Sequence, residues 1–119
     1  MSPSAKPPDP SQGDIWLVDF GTPVGHEQGY RRPAVVVSVD QMNTSMAKLV
    51  IVVPVTRTRR NLPSHIELEA EAAGLHEPSY AKCEDVKSVS HDRLVHRIGR
   101  ASEHAQRRIT SVIVTLIGA

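Results

Sequence analysis

The chain has 119 residues, 39% hydrophobic and 23% charged, which suits one globular domain and excludes a fibrous repeat or a wholly disordered polymer. No apolar run reaches the roughly 18 to 20 residues of a membrane-spanning helix, and an aromatic content of 3% argues against the stacking platform of many single-strand nucleic-acid binders. The net charge of +1 hides four alternating blocks: −3 over residues 1–30, +5 over 31–60, −4 over 61–90 and +3 over 91–119.

Such blocks are open to two readings, a groove for a polyanion beside an acidic rim or a solvated surface whose charges balance in space. The first twelve residues hold four of the nine prolines and no apolar periodicity, which predicts a disordered tail ahead of a domain over 13–119. They also lack the apolar stretch of a secretory signal, so the chain reads as cytoplasmic. Ile15 to Phe20 predicts a strand, and Gly21 to Gly29 a long polar loop punctuated by glycine. Pro33 to Val39 is a β-branched run that predicts a central strand, followed by a polar connector over Asp40–Ser45. Lys48 to Thr56 is the strongest strand signal. Its Pro54 has no amide donor, so that position is expected at an edge or a bulge.

Arg57 to Pro63 is a basic turn, His65 to Glu69 alternates as a half-exposed strand, and Glu71 to Leu75 reads as a connector or short helical turn. Tyr80 to Val89 predicts one further strand with Ala81, Cys83 and Asp85 on one face. Ser90 is placed to cap a single turn, and Val95 to Arg100 to return as a last short strand. Ser102 followed by Glu103 marks a helix start, and Ile109, Val112, Ile113, Leu116 and Ile117 form a stripe at helical spacing that Gly118 ends. The fold class that results is mainly β with a C-terminal helix, a small barrel of five or six mostly antiparallel strands. A domain this small buries only about two thirds of its unfolded surface, so self-association would help it.

The absences narrow the chemistry. There is no phosphate-binding glycine loop and no His-Glu-x-x-His, and the six histidines are scattered, so no metal or nucleotide cofactor is expected. The lone Cys83 excludes an internal disulfide and, inside a strand pattern, reads as an inert core thiol. What remains is a constellation. Arg31 and Arg32 stand at the mouth of one strand, and Thr56 ends another just before Arg57, Arg59 and Arg60. A fixed guanidinium beside a hydroxyl suits a phosphate, because arginine presents two parallel donors to its oxygens. Taken singly, each of these residues is as well read as a surface arginine or an edge threonine.

Gly13-Asp14-Ile15-Trp16, then Gly25-x-Glu27-x-x-x-x-Arg32-Pro33-Ala-Val-Val-Val and Val53-Pro54-Val55-Thr56, resemble the MazF/PemK family of toxin endoribonucleases. The likeness continues through Leu62-Pro63-Ser-His-Ile-Glu-Leu, Glu84 to Val89, and Arg93-Leu94 ahead of Ile98-Gly99. It covers residue 13 to the end. The resemblance implies an SH3-like barrel of the PemK/MazF/CcdB type, a homodimer, and metal-independent, sequence-specific cleavage of single-stranded RNA. The products would be a 2′,3′-cyclic phosphate and a 5′-hydroxyl. It also implies a cognate antitoxin that blocks the site.

Carried over by position, the family's active arginine falls on Arg32 and its active threonine on Thr56, with the loop from Gly21 to Tyr30 shaping the RNA groove. Neither residue type is a convincing general base near neutral pH, since arginine stays protonated in proteins. Many members carry a small polar residue just before the loop glutamate, where this chain has His26. Imidazole is matched to proton transfer at neutral pH, so His26, or failing that Glu27, is the candidate acid–base group. The tandem Arg31-Arg32 leaves open which arginine meets the scissile phosphate, and the proline register favours Arg32. Arg31, Arg57, Arg59, Arg60 and Lys87 are candidates for the RNA backbone. Polar groups on the loops after the first and third strands, Gln28 among them, and the segment Glu84 to Ser88 are candidates for reading bases, whose pairing edges a single strand exposes. The rival of another class is a CcdB-like gyrase-binding toxin without RNA chemistry, which has no need of the Arg-Pro and Val-Thr pair.

Overall fold

A computed structural model describes residues 9–22, 25 and 30–119. The part of the expected tail over residues 1–8, and the loop residues His26, Glu27 and Gln28, lie outside the described residues. Among the described residues seven strands form: β1 (Asp14–Asp19), β2 (Arg31–Val36), β3 (Leu49–Thr56), β4 (His65–Leu68), β5 (Ser79–Lys82), β6 (Lys87–Ser90) and β7 (Leu94–Arg100). Three helices accompany them, α1 (Asp40–Asn43), α2 (Ala70–Ala73) and α3 (Glu103–Leu116). The strands make one antiparallel sheet in the order β4-β5-β3-β2-β1-β7, with β6 also paired to β3. The mainly β fold with a terminal helix is the expected one, with seven strands in place of five or six.

Side chains alternate across a strand, and here both faces are covered. Trp16, Val18, Ala34, Val36, Val50, Val52 and Val89 pack on one face. Ile15, Val35, Val53 and Val55 pack on the other, with Ile66, Ala81 and the α3 residues Ala105 and Ile109. That is why β2 and β3 read as unbroken apolar runs instead of alternating ones. Cys83 is fully buried in the second cluster, and burial pushes its thiol up to about 12.

Pro54 departs from expectation, since it sits neither at an edge nor at a bulge but in the central strand, opposite Ala34. Val37 donates its N–H to the Ile51 carbonyl at 2.9 Å, so hydrogen-bonded pairs with β2 fall on the odd residues of β3 and the Pro54 nitrogen points the other way. On that side β6 pairs as far as Val52 and β5 begins at Val55. The missing donor falls in the seam between them.

The same seam explains the second correction. Tyr80 to Val89 is not one strand; a three-residue 3-10 turn over Cys83–Asp85 divides it. β5 pairs with the end of β3 and β6 with its beginning, in registers three residues apart, and the turn takes up the difference. The third correction is α1, expected as a connector. The buried Asn43 closes that turn, its Nδ2 donating to the Ser38 carbonyl at 3.0 Å, while the Ser38 hydroxyl accepts from Ile51 N–H at 3.0 Å. Gln12 is bound there too, N–H to Asp40 Oδ1 at 2.8 Å and Nε2 to the Val37 carbonyl at 3.0 Å.

Two caps form as expected. Ser90 Oγ accepts from Asp92 N–H at 3.2 Å, and Ser102 Oγ from Ala105 N–H at 3.1 Å. The helix stripe is only partly used. Ala105 and Ile109 are buried and Val112 and Ile113 pack against the core, but Leu116 is 51% and Ile117 70% exposed.

Candidate functional site

β2 begins and β3 ends at the same end of the sheet, because the two strands are antiparallel neighbours. Their observed pairs reach outward as far as Ala34–Pro54, and two residues further the same register sets Arg32 opposite Thr56. Such a pair is of the non-hydrogen-bonded kind, in which facing side chains come closest. Thr56 lies opposite Tyr80 of β5, and Tyr80 opposite Glu67 of β4. Arg32, Thr56, Tyr80 and Glu67 therefore form a row across four strands.

Arg31, Arg32, Pro33, Val55 and Arg57 line a pocket of about 240 Å³ at this end. Both Arg31 and Arg32 are exposed, and Arg31 faces Asp19 across β1. Thr56 is half-buried and its Oγ1 accepts from Thr58 N–H at 3.2 Å. That bond fixes the oxygen and leaves the hydroxyl proton to donate. The base of the preceding loop is pinned where Phe20 N–H donates to the Tyr30 carbonyl at 2.8 Å, with Tyr30 left-handed at φ 58° and exposed.

The other candidates are dispersed. Arg57 is held by Glu77 at 2.7 Å, both well exposed. Arg59 Nε donates to Asn61 Oδ1 at 2.9 Å and Arg60 is exposed. Lys87, opposite Val52, lies four residues and roughly 13 Å along β3 from Thr56, with its Nζ 5.6 Å from the centre of the Phe20 ring. Glu84, on the turn after β5, is bonded at 2.8 Å to Nε2 of His65, whose side chain is only 2% exposed. Burial works to raise the Glu84 carboxyl, but hydrogen bonds from His65, from its own backbone and from Ser64 outweigh it and hold the carboxyl below its ordinary value. The alternation of His65 to Glu69 suggests an exposed histidine, so nothing in the residue pattern announces the His65–Glu84 pair. Tyr80 is likewise unannounced, since its place beside Thr56 depends on β5 joining the end of β3. Among the described residues no cluster of three or more His, Cys, Asp or Glu side chains is placed to hold a metal ion.

The PemK-like, MazF-like toxins of type II toxin–antitoxin systems match this chain over residues 11–117. It is 38% identical over 96 residues to Endoribonuclease MazF9 of Mycobacterium tuberculosis, covering 76% of this chain and 81% of that one. The crystal structure of MazF (Form-I) from Deinococcus radiodurans superposes with a TM-score of 0.83 at 24% identity, covering 93% of this chain and 98% of that one. That likeness shows the fold. MazE–MazF (Form-II) from the same organism matches with a TM-score of 0.76 at 25% identity, covering 92% and 96%.

Proposed function

The chain belongs to the PemK-like, MazF-like toxins of type II toxin–antitoxin systems, and on that premise we propose that it is an endoribonuclease acting on single-stranded RNA with Arg32 and Thr56 at its centre. The observation that carries this reading is that β2 begins and β3 ends at the same end of the sheet, where the β2–β3 register continued two residues past Ala34–Pro54 sets Arg32 opposite Thr56. Internal cleavage of RNA uses the neighbouring 2′-oxygen as nucleophile. A 2′-O–P bond forms as the P–O5′ bond breaks, one proton leaves the 2′-hydroxyl and one reaches the 5′-oxygen. The products are a 2′,3′-cyclic phosphate and a 5′-hydroxyl.

Charge gathers on the phosphorus oxygens during that step. The Arg32 fork meets it with parallel donors, and the Thr56 hydroxyl, its oxygen already fixed by Thr58, adds another. No metal is required. His26, or failing that Glu27, moves the proton, and Arg31, Arg59 and Arg60 bind the backbone. Gln28, Glu84 and Lys87 extend the RNA contact, with Arg57 joining once it leaves Glu77. The partners are a cognate antitoxin, as in the MazE–MazF complex of the relative, and a second copy of the chain. No helix among the described residues is long and apolar enough to cross a membrane, and an RNA target places the work in the cytoplasm. The gyrase-binding alternative has no observation in its favour.

The test is incubation with a long single-stranded RNA in EDTA beside Arg32→Ala and Thr56→Ala, with fragment ends mapped by sequencing. Discrete EDTA-resistant cuts that both substitutions abolish are expected. No cuts by folded wild type, or cuts that survive both substitutions, would overturn the reading. A pH–rate profile of His26→Ala identical to wild type would remove that residue from the mechanism.

A further inference from the structure

Behind Tyr80, at the far end of the row that starts at Arg32, a second pocket of about 180 Å³ opens. Arg59 and Asn61 wall it from the β3–β4 connection, His65 and Glu67 from β4, Tyr80 from β5 and Arg108 from α3. It is smaller than the roughly 300 Å³ at which sites for drug-sized ligands begin, a scale that suits one planar group. Its polar atoms are mixed in kind. Glu67 accepts. Arg59 and Arg108 donate, and so does the Asn61 amide, because the Asn61 oxygen is already taken by Arg59. His65 gives its Nε2–H to the Glu84 carboxylate, and its buried Nδ1 finds no partner among the described residues. Glu67 stands two strands from Thr56, or roughly 10 Å at ordinary strand spacing.

We propose that this pocket receives one nucleobase flanking the cut and reads its pairing edge, with Glu67 accepting from the base N–H groups and Arg108 and Asn61 donating to its acceptors. The proposal rests on the ribonuclease reading above. It makes Glu67 and Arg108 specificity-determining and leaves Arg32 and Thr56 with the phosphate. A base fits better than a bare phosphate because the carboxylate in the wall repels an anion but accepts from an amine.

Glu67 and Arg108 are both exposed, so Glu67→Gln and Arg108→Ala are expected to fold, which thermal melting checks. Each variant and wild type would cleave a pool of single-stranded RNA with randomised sequence, and fragment ends would be sequenced. The expected result is a preference at one fixed position that weakens by roughly 5- to 150-fold, the range for losing one good bidentate base contact, while preferences at other positions hold. A wild-type motif unchanged in both folded variants overturns this inference and leaves the ribonuclease standing. Rates that fall equally for every sequence also overturn it, since that is the mark of a structural or backbone-binding role. Absence of cleavage by wild type overturns both.

Discussion

Arg97 and Arg100 converge on Oδ1 of Asp14, at 3.1 and 3.3 Å, where β1 meets β7. The carboxylate is only 6% exposed and its other oxygen accepts from Ser11 N–H at 2.8 Å and Trp16 Nε1–H at 3.3 Å. Where β2 begins and β3 ends the arginines are treated otherwise. Arg31, Arg32, Arg59 and Arg60 are exposed, and among the described residues no carboxylate lies within ion-pair distance of them. The first corner uses guanidinium to keep a buried carboxylate satisfied, which folding requires. The second holds none of these four in an ion pair among the described residues, Arg59 being bonded to the amide oxygen of Asn61, so a phosphate arriving there displaces solvent without first breaking an ion pair of the fold. Arg57 stands between the two, held by an exposed glutamate that a phosphate must replace.

The contrast is broken most directly by Arg32→Ala or Thr56→Ala. Each is expected to lower the cleavage rate by about 10² to 10³, the usual cost of removing one donor from a developing charge, with melting temperature unchanged. If either unfolds the protein, the two ends of the sheet are not functionally distinct. The opposite outcome is expected of Asp14→Ala, which orphans the Trp16 indole N–H and both arginines. It should lose about 2 kcal/mol of stability in denaturant titration, with activity per folded molecule retained.

Arg57→Ala sharpens the intermediate case. Its exposure predicts stability within about 0.5 kcal/mol of wild type, and the loss of one phosphate contact lowers the salt slope of RNA binding by about 0.7. A slope identical to wild type would show that Glu77 keeps Arg57 out of the groove. The smallest effect concerns Glu84. Its carboxyl is held below the ordinary value in the folded state, so the stability it contributes is complete above that value and lost as pH falls through the lower folded one. Acid titration of Glu84→Gln should therefore match wild type more closely below the ordinary glutamate range than at neutral pH.

How far the chain could be read in advance differs by element. β3 and α3 were legible because their signals are local: an apolar β-branched run, and a serine cap ahead of a 3.6-residue stripe. The placement of Arg32 and Thr56 at one end of the sheet was legible through motif order and the antiparallel rule. The division between β5 and β6 was not, since Tyr80 to Val89 has strand character throughout and only the competition of two strands for one neighbour forces a turn at Cys83. Pro54 misled for the same reason. A proline forbids a donor wherever it stands, but whether that place is an edge, a bulge or a seam depends on what lies alongside. α1 carries no local signal, because a buried asparagine, and no apolar period, holds it.

The fold class, the family and the capping of α3 are written in the residues alone, because each rests on residues near one another in the chain or on short motifs in order, and the same motifs nominate the arginines and threonine of the candidate centre. Which arginines sit in ion pairs and which do not, the burial of His65 against Glu84, and the continuation of the row from Thr56 to Tyr80 and Glu67 come from the packed sheet. Those facts depend on strand register and burial. Register is a property of pairs of segments far apart in sequence, and burial of the whole packed sheet.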